Sequence, residues 1–149
     1  MERTMVTLNR LISGAFNDMS RSEQQAIRAG GFTDVSVNEA HTVDAIGVYL
    51  PKTMSAVAEK LDITMGTLTV SINHLVKKGY VNKVKRETDR RVFMLSHTEK
   101  GKGLFKVHQK FHFDMVKSLI VNLSDYEADM FIEALSCLNQ FLKKGSALN

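Results

Sequence analysis

The sequence has no tryptophan, one cysteine, one proline and three tyrosines in 149 residues. A single thiol, Cys137, excludes an internal disulfide and suits a reducing compartment. With one proline, Pro51, and nine glycines, no stretch has the composition of a flexible linker. No apolar run approaches the ~20 residues a membrane-spanning helix needs. Met1-Glu2-Arg3-Thr4 does not open a signal-peptide pattern, so the expected location is cytoplasmic. Enzyme motifs are missing as well. There is no Gly-x-Ser-x-Gly elbow, and Gly101-Lys102-Gly103 lacks the spacing of a phosphate-cradling loop. His41 and Asp44 have no nucleophile beside them in a recognised spacing, so the chain is not expected to be an enzyme.

Net charge is only +4, but its placement is uneven. Between His74 and Lys110 eleven Lys/Arg stand against three acids, which leaves the rest of the chain net acidic. Such segregation makes an electrostatic footprint for phosphate, although a solvated charged face has the same composition.

The spacing of Leu8, Leu11, Ile12, Ala15, Phe16 and Met19 predicts an amphipathic first helix that stops at Gly30-Gly31. Ser36 with Glu39 is a capping box for a second helix over 37–47. Thr53 precedes a short third helix over 55–61, and Asp62-Ile63 is a turn. Thr64 then caps a fourth helix that turns Leu68, Ile72, Leu75 and Val76 inward and ends at Gly79. The β-formers of 80–86 and 91–95 flank Glu87-Thr88-Asp89-Arg90 as a hairpin. Thr98 caps a long fifth helix to about Asn122, and Ser124 with Glu127 opens a sixth to about Lys144. The stripe of that last helix includes Phe131, Leu135, Leu138, Phe141 and Leu142.

The expected fold is mainly α with a small β-hairpin wing. A winged helix-turn-helix DNA-binding domain over 35–97 would sit on a helical dimerisation region, 1–34 and 98–149. A short helix, tight turn, longer helix and basic hairpin, in that order, form a unit for reading double-stranded DNA. The outer face of the fourth helix offers Thr64, Gly66, Thr67, Thr69, Ser71, Asn73 and His74, with Lys77 at its end. Small side chains let such a helix sit deep in the major groove. Arg90 and Arg91 at a narrow tip suit the minor groove, with Asp89 placed to orient one of them. Lys83, Lys85 and Arg86 suit phosphates.

Asp89-Arg90-Arg91, the strand Val92-Phe93-Met94-Leu95 and then Thr98-Glu99-Lys100-Gly101 resemble the MarR family of regulators, and the order of elements agrees over essentially the whole chain. His97 departs from that pattern, which has Leu there. The resemblance implies a homodimer joined by the first, fifth and sixth helices, with Leu8, Leu11, Phe131, Leu135 and Leu138 in the contact. It also implies repression by occupancy of a pseudo-palindromic operator. Three further runs are similar to the FabT-type repressors of fatty-acid synthesis: residues 38–47, Thr64-Met65-Gly66-Thr67-Leu68-Thr69, and His108-Gln109-Lys110-Phe111-His112. That similarity implies long-chain acyl-acyl carrier protein as co-repressor. Phe16, Met19, His41, Phe105, Phe111 and Met115 are then candidate pocket walls, and Arg21, Arg28 or Lys102 candidates for docking the acidic carrier. The eight Met and eight Phe serve equally well as plain core.

Two alternatives stay open. His108 and His112 are four apart on one helical face, and with His41 and either Glu39 or Glu23 they could hold zinc, giving a zinc-responsive regulator. Cys137 could sense oxidants, but its neighbours Leu135 and Leu138 place it on or near a packed face, where an inert role is expected.

Overall fold

The computed structural model describes residues 1–146; residues 147–149, the end of the expected scaffold region, lie outside the described residues. The elements run α1 (Glu2–Ala29), α2 (Val37–Ile46), β1 (Lys52–Thr53), α3 (Met54–Leu61), α4 (Met65–Lys77), β2 (Val81–Lys85), β3 (Phe93–His97), α5 (Glu99–Ile120) and α6 (Asp125–Ser146). The chain divides into two compact units, one through Phe111 and one from His112. Among the described residues no helix is long and apolar enough to cross a membrane.

In the first unit the helix ends follow from side-chain chemistry. The Ser36 hydroxyl accepts from Glu39 N–H at 3.2 Å while the Glu39 carboxylate accepts from Ser36 N–H at 2.9 Å. Two otherwise orphan donors at the start of α2 are thereby satisfied. The turn between α3 and α4 puts Asp62 at φ 53°, left-handed, and Gly79 after α4 adopts φ 80°. At both places the chain must reverse within one or two residues.

The helices and sheet share one apolar core, built from Ile27, Val43, Ile46, Val57, Leu68, Ile72, Leu75, Leu95 and Leu104. Val76, expected to face inward, is 40% exposed. Leu68, Ile72 and Leu75 already complete the buried stripe, and the next residue falls about 100° further round a helix. The sheet has three strands rather than the two of a lone hairpin, in the order β1-β3-β2. β1 pairs Lys52 with Leu95 and Thr53 with Met94, tying the hairpin to the start of α3. Thr53 also caps α3 by accepting from Ala56 N–H at 3.2 Å.

His97 does not displace the start of α5. Thr98 caps that helix, its hydroxyl accepting from Gly101 N–H at 3.0 Å and donating to the Gly79 carbonyl at 2.6 Å. Gly101 lies so close to the preceding turn that a Cβ there would stand 2.1 Å from the Tyr80 carbonyl oxygen. The N-terminal half of α1 leaves Leu8, Leu11 and Phe16 about half-exposed within this unit.

The second unit holds the end of α5 and α6, opened by the capping box of Ser124 and Glu127. Phe113, Val116, Leu119, Tyr126, Met130, Leu135 and Phe141 are all exposed in it. Cys137 is exposed too, contrary to the packed position expected from its neighbours. On the same helix Phe131 and Leu138 are partly buried.

Gly101→Ala is expected to destabilise the protein by about 3 kcal/mol or more, since backbone rather than a flexible side chain blocks the new methyl. A denaturant midpoint matching wild type would show that α5 can move away from Tyr80 freely.

Candidate nucleic-acid interface

The first turn of α4 is built around two hydroxyls. Thr64 Oγ1 accepts from Thr67 N–H at 3.2 Å, and the two threonine hydroxyls lie 2.9 Å apart, both exposed. The Thr69 hydroxyl donates to its own helix at the Met65 carbonyl, 2.7 Å away. A Cβ added at Gly66 would come no closer than 3.9 Å to its nearest neighbour, Thr64 Oγ1, so the fold itself does not demand glycine there. Asn73, His74 and Lys77 are exposed as expected. Ser71 sits at the edge of that face, lining the same surface groove as Thr67, Val70 and His74. It is half-buried and its hydroxyl lies 3.0 Å from that of Thr42 on α2, because position 71 faces the helix packed behind.

A shallow groove between α2 and α4 is lined by Asn38, Glu39, Thr67, Val70 and His74, among others. Val70, which sequence reasoning passed over, is 57% exposed on the face it shares with Thr67 and His74. Its three- and four-residue spacing from them was the available signal. Glu39 forms the floor. Burial pushes its carboxyl pKa up, but the Lys78 ammonium at 2.7 and 2.9 Å and the Ser36 bonds outweigh this and hold it below the usual range. Lys78 is therefore neutralised in place, whereas Lys77 remains exposed.

The wing is ordered by its register. Lys85 faces Phe93 across the ladder, and the Phe93 ring receives the Lys83 ammonium at 4.6 Å from its centroid and that of Lys85 at 5.8 Å. Arg86 N–H donates to the Val92 carbonyl at 2.8 Å and closes the tip. Asp89 Oδ1 accepts from Arg91 N–H at 3.1 Å and from Arg91 Nε at 3.3 Å, leaving a side chain 93% exposed. Of the two tip arginines, Arg91 is thus the one Asp89 orients, through one carboxylate oxygen rather than two.

Behind the interface lies a polar cluster. Glu23 on α1 is buried, and one of its oxygens, Oε1, lies 2.8 Å from His41 Nε2 on α2 and 2.6 Å from His108 Nε2 on α5. Asp44 Oδ1 stands 3.6 Å from His108 Nδ1 and is also bonded by Gln109. Burial alone would raise the Glu23 pKa and lower that of His108. The bonds reverse both, so Glu23 is held below its usual range and His108 above it. Glu39 has no place in this cluster, being committed to its capping box and Lys78. His112 follows His108 by one turn along α5, past the boundary at Phe111.

The other expected positions are dispersed. Phe16 is half-exposed on α1, Met19 and Phe111 are partly buried, and Phe105 packs on the core against His97. Met115 belongs to the second unit and is partly buried there. Arg21 pairs with Asp18 at 3.6 Å and Lys102 with Glu99 at 2.6 Å, while Arg28 is exposed.

Comparison with known proteins agrees with this geometry. The sequence model of the MarR family matches residues 33–92. A solved structure of Streptococcus pneumoniae FabT in complex with DNA is 36% identical, covers 94% of this chain and 98% of that one, and superposes with a TM-score of 0.85. The chain belongs to the MarR family. The Staphylococcus aureus MepR–DNA complex, 20% identical over 91% of this chain and 96% of that one with a TM-score of 0.69, shares the fold. The HTH-type transcriptional repressor YetL of Bacillus subtilis is 28% identical over 81 residues, 54% of this chain and 48% of the relative. The aligned part spans about half the length of such curated relatives. This MarR-family member is a DNA-binding transcriptional regulator and not an enzyme.

His97 joins the wing to α2, its Nε2 being 2.7 Å from the Val43 carbonyl, while its buried Nδ1 has no hydrogen-bond partner among the described residues. Burial holds its pKa below the usual histidine value. A lowered folded-state pKa means that the unfolded chain takes up the proton first, so stability declines as pH falls below about 6.5, the unfolded value. His97→Leu should remove that part of the acid dependence in urea midpoints between pH 7 and 5. Unchanged acid dependence would show that the proton is bound elsewhere.

Proposed function

We propose that this regulator acts as a cytoplasmic homodimer that represses fatty-acid biosynthesis genes from a pseudo-palindromic operator, with long-chain acyl-acyl carrier protein as co-repressor. The observation that carries this reading is the whole-length similarity to FabT at 36% identity, well above the 20% of the MepR complex. The runs at 38–47, 64–69 and 108–112 are of a piece with it.

In this reading residues 35–97 read the DNA, while 1–34 and 98–149 dimerise. Exposed Leu8 and Leu11 in one unit and Leu135 and Phe141 in the other supply apolar stripes that a second copy would cover. The first turn of α4 enters the major groove with Thr64, Gly66 and Thr67 foremost, followed by Thr69, Asn73 and His74. Val70 is placed to meet a thymine methyl. Lys77, Lys83, Lys85 and Arg86 neutralise phosphates, and Arg91, steadied by Asp89 with Arg90 beside it, reaches the minor groove. Surface Arg21, Arg28 and Lys102 are candidates for meeting the acidic carrier protein.

Titration of a labelled fatty-acid-operon palindrome at fixed salt tests the regulatory half. Operator binding should tighten when long-chain acyl-acyl carrier protein is added and not with the unacylated carrier; equal binding in both arms would remove the lipid signal. Arg91→Ala should cost about 1–3 kcal/mol in operator affinity, and Lys83→Ala should lower the salt slope by about one unit. Wild-type values for both would take the wing out of the interface.

A further inference from the structure

The exposed face of α4 is centred on two positions that carry no polar side-chain group. At about 100° per residue, Val70 stands roughly 160° round the helix from both Leu68 and Ile72, and Gly66 stands opposite Leu75. Leu68, Ile72 and Leu75 are buried, so Gly66 and Val70, four residues apart, form the ridge farthest from the core. Thr67 and Thr69 fall about 100° to either side of Leu68, on the flanks. We infer that sequence discrimination by this helix is carried by the Gly66–Val70 ridge, a methyl-sized notch for the 5-methyl group of a thymine, and not by the threonine hydroxyls around it. The inference rests on the reading of α4 as the helix that enters the major groove.

The hydroxyls are poorly placed to do the reading themselves. Two of the three hydroxyl protons of Thr64, Thr67 and Thr69 are engaged inside the helix. Thr64 and Thr67 are bonded to each other at 2.9 Å, and Thr69 donates to the Met65 carbonyl at 2.7 Å. What remains is mainly acceptor oxygen, which cannot bond phosphate oxygens or the N7, O6 and O4 acceptors of the bases.

Gly66 and Val70 are, in contrast, residues that the fold does not ask for. Glycine and β-branched valine are both weaker helix formers than alanine. Gly66 has ordinary right-handed helical backbone and room for a Cβ, whose nearest neighbour would be 3.9 Å away. Val70 leaves 57% of its surface bare. A side chain that is missing where the fold has space for it makes space for something outside the fold. Of the four bases only thymine presents an apolar group in the major groove, its C5-methyl. A valine side chain has no hydrogen bond to offer, so that methyl is the base feature it can distinguish. Gly66, one turn nearer the helix start, lets the backbone come close enough for the contact. Asn73 and His74, exposed beside the ridge, are left to supply hydrogen bonds.

The test uses the full chain and a duplex that it selects itself from random sequence. The duplex is copied with deoxyuridine in place of thymine, one symmetric pair of positions at a time, and affinities are measured at fixed salt. Uracil keeps every hydrogen-bonding atom of thymine and lacks only the methyl. At one pair of positions the wild type should lose about fourfold for each half-site, the factor that burying one methyl-sized group carries. Val70→Ala should bind the thymine and uracil copies alike, while Val70→Ile keeps the preference. Gly66→Ala should weaken binding about fivefold or more, with a denaturant midpoint equal to or above that of wild type, which separates a lost approach from a damaged fold. Equal wild-type affinity for every uracil copy, an undiminished uracil penalty in Val70→Ala, or wild-type binding by Gly66→Ala alone would overturn the inference. If α4 stays outside the groove, Gly66→Ala and Val70→Ala both bind the parent duplex as wild type does, and the reading beneath the inference falls with it.

Discussion

A buried carboxylate has to be paired, and the first unit is organised around that requirement. Glu23 lies where an isolated charge would cost several kcal/mol, and it is compensated by two imidazoles that reach it from α2 and α5. Three helices distant in sequence are thereby fixed to one oxygen atom. α2 is held by this pairing together with its capping box and its core residues, and the elements proposed to face DNA are bonded to α2.

That bonding runs through particular residues. One residue past His41, Thr42 meets Ser71 of α4 hydroxyl to hydroxyl, and the Val43 carbonyl takes His97 at the end of β3. At the head of α2, Glu39 grips Lys78 just beyond α4. α4 and the wing are thus both bonded to a helix that is itself bonded to Glu23.

Most of the architecture was legible because its signals are local. Capping residues Ser36, Thr53, Thr64, Thr98 and Ser124 announce their helices, and Gly79 announces a reversal. What was not legible depends on packing between elements. β1 is two residues long, too short for any periodicity, and exists because Leu95 and Met94 offer it a ladder. Ser71 reads as wholly outward from composition but is half-buried beside Thr42. Both Glu39 and Glu23 were open as partners for the histidines. Only the fold shows that one is spent on Lys78 while the other sits between the rings. Cys137 reads as lying on or near a packed face because its neighbours are apolar, yet within the single chain it is exposed.

The central claim is that DNA is held by the first turn of α4 together with the wing tip. Hydrogen exchange of the full chain, with and without operator duplex, addresses it most directly. The amides at 65–67 and those of 86–92 should slow on DNA binding, while α6 should be unaffected by the duplex itself. Protection that spared both segments and appeared along α1 or α6 would contradict the account.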